Sequence, residues 1–141
     1  MDRSIDLQRF LDAQADAYDT ALAELKRGRK TSHWMWFVFP QIAGLGHSAM
    51  ARFYALESLD EARAYLAHPA LGARLLACVE AVNALQGRTA HAIFGSPDDL
   101  KFRSSLTLFA KAAPEEAAFA EALAKYFGGR LDELTLERLG G

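Results

Sequence analysis

The stretch IDLQRFLDAQADAYDTALAELKR, residues 5–27, decides the fold class. Advance 100° per residue from Leu7, and Phe10, Leu11, Tyr18, Ala21, Leu22 and Leu25 fall within about 60° of it. Arg9, Asp12, Asp16 and Asp19 fall on the opposite side. Such a stripe belongs to an amphipathic helix, which needs a second element to cover its apolar face. Ser4 suits the N-cap and Gly28 the first residue past the end, with Lys26 and Arg27 complementing the last turn.

Composition extends that reading to the whole chain. The 27 Ala and 20 Leu far outnumber the 3 Val, 3 Ile and 5 Thr, a balance that favours helices over strands. Short helices are predicted over 33–39, ending before Pro40, and from a Ser48 cap to Leu56. Ser58 caps a helix to Ala67, and Pro69 opens one that reaches Gln86 before Gly87. Thr89 starts a single turn to Phe94, and Ser96-Pro97-Asp98-Asp99 opens a helix over 97–112. Pro114-Glu115-Glu116 opens another that closes at Phe127, and residues 130–139 make the last. The expected fold is all-α: a single compact domain, residues 1–141, of about six to eight helices in an orthogonal bundle.

Composition also narrows function. The 141 residues, 51% apolar and 24% charged, describe one folded domain rather than a disordered or fibrous chain. One cysteine forms no internal disulfide, no apolar run spans a bilayer, and MDRSIDLQRF has no signal-peptide core, so the expected location is cytoplasmic. A net charge of -2 gives duplex nucleic acid no general surface, and the KRGRK run at 26–30 is too short to predict a specific nucleic-acid partner. The four histidines lack paired ligand spacing, so no metal and no cofactor is called for. Cys78 falls in the stripe of Leu71, Leu75, Val79, Val82 and Leu85 and reads as a small core hydrophobe.

Two segments concentrate chemistry. In KRGRKTSHWMWFVFPQ, residues 26–41, Lys30, His33, Trp34, Trp36 and Gln41 put cations, a titratable ring and indoles together. Such a set suits an anionic, nucleotide-like ligand, although the same aromatics also suit a core. Backbone N–H groups near Ser32–Trp34, at the entry to a helix, offer an anion further donors beside Lys30 and His33. His33 is the acid–base candidate. In DDLKFRSSLT, residues 98–107, Lys101 and Ser105 stand four apart, where a base and a nucleophile meet, or where two surface residues sit. Arg103, Ser104 and Thr107 lie toward the opposite border, where they either add to that set or are solvated. Gln14, about 20° from the centre of the first helix's apolar face, and Tyr18 one turn on either line a pocket or tie that helix to a neighbour.

The strings SHWMWFVFPQ, GLGHS, YLAHPALGARL, IFG and KFRSSLTLF, in that order after RFLDAQ, resemble the domain-of-unknown-function family numbered 1810. Its members often carry the label calpastatin, which a Leu- and Ala-rich chain without repeats does not fit. The resemblance implies a compact helical bacterial domain and no catalytic residues. Two functions follow. One is binding or turnover of a small anionic metabolite by Gln14, Tyr18, Lys30, Trp34, Trp36 and Gln41, with His33, Lys101 and Ser105 as the reactive set. The other is a non-enzymatic interaction module, monomeric or homodimeric, whose aromatics are core.

Overall fold

The computed structural model describes residues 6–140, so the expected Ser4 cap lies outside the described residues. Among them are nine helices and no strand. α1 spans Gln8–Arg27, α2 Met35–Val38, α3 Ala49–Phe53, α4 Leu59–Ala67 and α5 Pro69–Asn83. α6 spans Ala90–Phe94, α7 Asp98–Ala112, α8 Ala117–Phe127 and α9 Glu133–Arg138. The all-α expectation holds, with one helix more than the upper count expected. No described helix is long and apolar enough to cross a membrane.

The capping chemistry sets most boundaries. Gly28 ends α1 with φ at 82°, a left-handed turn that costs a Cβ-free residue little. Ser48, Ser58, Thr89 and Asp132 each accept a backbone N–H at the start of α3, α4, α6 and α9. His68 caps α5 through Nδ1, which accepts from Ala70 N at 3.1 Å and Leu71 N at 3.3 Å.

Two predicted helices end early. α3 stops at Phe53 rather than Leu56 because Leu56 pairs with Ile42 in an isolated parallel bridge. α5 stops at Asn83 rather than Gln86. There α8 takes over its last carbonyls: Lys125 donates to Asn83 O and Leu85 O, and the Tyr126 hydroxyl to Val82 O.

One apolar cluster joins the elements. α1 packs on α2 and α5, α5 also on α4 and α8, and α7 on α4, α6, α8 and α9. Within it Phe94 and Phe102 stack with centroids 4.5 Å apart, and Phe39 meets both edge-on. α7 corrects the sequence reading. Ser104 and Thr107 are buried rather than solvated, because the Asp132 segment covers that border. Asp132 accepts from Ser104 Oγ and Thr135 Oγ1, while its own N–H donates to Thr107 Oγ1 at 2.9 Å. Arg103 remains partly exposed, 3.6 Å from the Asp132 carboxylate.

Candidate functional site

Glu24 organises the segment that follows α1, and nothing in the sequence pattern singled it out. Its carboxylate is buried and accepts from Thr31 N at 2.8 Å, Ser32 N at 3.1 Å, Ser32 Oγ at 2.5 Å and Trp34 Nε1 at 2.9 Å. Burial alone would raise its pKa, but the bonds from Ser32, Thr31 and Trp34 outweigh that and hold the carboxyl at about 2. Of the Ser32–Trp34 amides expected to face a ligand, that of Ser32 is already taken. Thr31 and Ser32 already donate to an anion, and it is the protein's own.

Trp34 is fully buried by the same bond, and Trp36, on α2, is half-buried. The Lys30 main chain donates to Ile93 O at 2.7 Å, which ties this loop to α6. Its side chain then reaches the first residue of α7. Lys30 Nζ lies 2.9 Å from Asp98 Oδ2, and Lys101 Nζ lies 3.5 Å from Asp98 Oδ1. Each ammonium also stands over an indole: Lys30 at 5.2 Å from the Trp34 ring, Lys101 at 5.3 Å from the Trp36 ring. Side-chain exposure grades outward, 8% for Lys30, 19% for Asp98 and 27% for Lys101. Beside this group Asp99 faces the exposed His91 at 3.6 Å.

The structure therefore brings together four of the sequence candidates, Lys30, Trp34, Trp36 and Lys101, around an Asp98 that sequence reasoning passed over as a helix opener. His33 is exposed, one residue before Trp34. Ser105 does not join them as a nucleophile. Its hydroxyl is buried without a hydrogen-bond partner among the described residues, and Lys101 turns to Asp98 instead.

Gln14 belongs elsewhere, and the bland alternative describes it. Its Nε2 donates to Phe37 O at 2.7 Å and to the Tyr65 hydroxyl at 2.9 Å, while Arg74 donates to its Oε1 at 3.4 Å. Arg74 also stands 5.3 Å from the Tyr18 ring, so Gln14 and Tyr18 help join α1 to α5. Gln41 is half-buried and gives its main-chain carbonyl to Leu56 N.

The best-formed hollows among the described residues, of about 370 to 650 Å³, are lined by none of the nine sequence candidates. The Lys30–Asp98–Lys101 group is thus a surface cluster on an aromatic base. Among the described residues no three His, Cys, Asp or Glu side chains gather as a metal site. Burial pushes the Cys78 thiol up to about 12, so it is protonated and unreactive at neutral pH.

A model of the family described as protein of unknown function, DUF1810, matches residues 4–139. The crystal structure of the conserved hypothetical protein Rv1873 from Mycobacterium tuberculosis is similar at a TM-score of 0.95 and 52% identity, over 96% of this chain and 97% of that one. No curated protein matches the chain.

Proposed function

The chain belongs to the DUF1810 family of proteins of unknown function, and since membership brings no activity with it, we propose a function from geometry: binding of a small anionic metabolite that carries a flat ring. The observation that carries this reading is the convergence of Lys30 and Lys101, from separate segments, on the single carboxylate of Asp98, each above a tryptophan. The two ammonium groups share the single carboxylate of Asp98, and each has three N–H donors to offer. The half-buried Trp36 ring supplies a face for stacking. His33, exposed at the same turn, adds a donor when protonated.

Fluorescence tests it, because the chain has only two tryptophans. Mononucleotides and sugar phosphates should quench Trp36 saturably, and Lys101→Ala should weaken the tightest of them about tenfold to a hundredfold, the cost of one charge-assisted hydrogen bond. A titration that Lys101→Ala leaves unchanged rejects the site.

One observation favours the interaction module as a second reading. α3 has no buried residue and presents Met50 at 40% and Phe53 at 58% exposure. Under that reading Phe53→Asp shifts the size-exclusion volume at high concentration and leaves every ligand titration alone.

A further inference from the structure

We infer that the anion taken by this site is a dianionic phosphate monoester, and that Asp98 is the residue that selects it. The inference rests on the ligand-binding reading above. Asp98 places one oxygen on each ammonium, Oδ2 on Lys30 and Oδ1 on Lys101, so its carboxylate occupies the position between the two cations that an incoming anion would take. Lys30 is almost wholly withdrawn from water and holds a counter-charge at 2.9 Å. A buried ammonium left without one is strongly disfavoured. An anion that displaces Asp98 must therefore satisfy both lysines.

Charge then decides which anion succeeds. A singly charged carboxylate or phosphodiester exchanges one negative charge for another and gains nothing for the desolvation it costs. A phosphate monoester, about −1.5 to −2 at pH 7, neutralises both ammonium groups and releases Asp98 to water. Asp98 is the first residue of α7 and its side chain is 19% exposed, so rotation about its side-chain bonds can carry the carboxylate out to water. The bridging carboxylate thus sets a threshold of charge, and the Trp36 face accepts whatever flat group the phosphate carries.

Adenosine 5′-monophosphate and its 3′,5′-cyclic diester test this, since they share a base and differ in phosphate charge. Binding is followed by tryptophan fluorescence at constant ionic strength. The wild-type protein should bind the monoester at least about tenfold more tightly than the diester. Asp98→Asn should narrow that gap by tightening the diester. It should also melt lower in chloride and recover more than wild type on adding inorganic phosphate. Lys101→Met, which removes one cation and leaves the Lys30–Asp98 pair, should abolish the preference and serves if Asp98→Asn does not fold. Equal wild-type affinity for the two nucleotides, unchanged in either variant, overturns the inference and leaves the ligand-binding reading standing. No response of wild type or either variant to nucleotides or phosphate overturns both.

Discussion

At the scale of single residues, Glu24 and Trp34 are the pair on which the loop after α1 depends. Four donors from a loop without regular secondary structure converge on one carboxylate in the last turn of α1, and the indole N–H is among them. Glu24→Ala strands that N–H in the core, at a cost of about 3 kcal/mol for charge-assisted bonds lost from a buried site. The sign with pH follows from the lowered pKa. The folded carboxyl titrates at about 2 and an unfolded glutamate near about 4.3, so its contribution is present above the unfolded value and fades as pH falls through the folded one. Glu24→Gln should therefore flatten the loss of melting temperature between about pH 4.5 and pH 2 that wild type shows, which calorimetry across that range will measure. The sequence puts both indoles and the neighbouring cations in one segment, but it assigned the anion at that segment to a ligand. An isolated acid at the flank of an apolar face carries no periodic signal, and only the folded loop reveals four donors turned toward it.

At the scale of elements, the α4–α5 corner shows why local sequence is legible at some positions and silent at others. The Ser58 and His68-Pro69 starts could be read, because caps and N1 prolines act within a few residues. Gly72 could not. A Cβ there would lie 2.0 Å from Leu66 O, because α5 crosses the end of α4 with backbone almost in contact. Helix propensity favours alanine by about 1 kcal/mol, but the clash is against main chain and has no flexible neighbour to yield. Gly72→Ala should thus destabilise the fold by about 3 kcal/mol in denaturant melts; a neutral or stabilising result would mean that α4 and α5 are not in such close approach. α7 teaches the same lesson from the other side. By sequence alone Ser104 and Thr107 could be solvated, and they are buried because Asp132, some 25 residues downstream, returns to pair with them.

For the whole molecule, the fold class and most helices follow from patterns within the chain, whereas the candidate site is a product of assembly. Lys30 reaches Asp98 only because α6 holds the loop through Ile93 O, and Arg88 grips Gly28 O from the same side. The short neck between Ile42 and Leu56 has the opposite effect. Two main-chain bonds, Ala43 N to Leu56 O at 2.8 Å and Leu56 N to Gln41 O at 2.9 Å, close an excursion in which Leu45 still packs on the core and Arg138 donates to Gly44 O, but α3 buries no residue. Arg9 fastens its far end at Phe53 O and Ala55 O, so residues 46–52 can open while the base stays shut. That segment is the place where the chain admits a cut or an insertion without unfolding. A broad-specificity protease under native conditions should make its first nick there, and the nicked protein should keep the emission of its buried Trp34; a first nick within α7 would show that the excursion is not the weakest unit. Residues 46–52 are thus where a foreign peptide can be spliced in without disturbing the core.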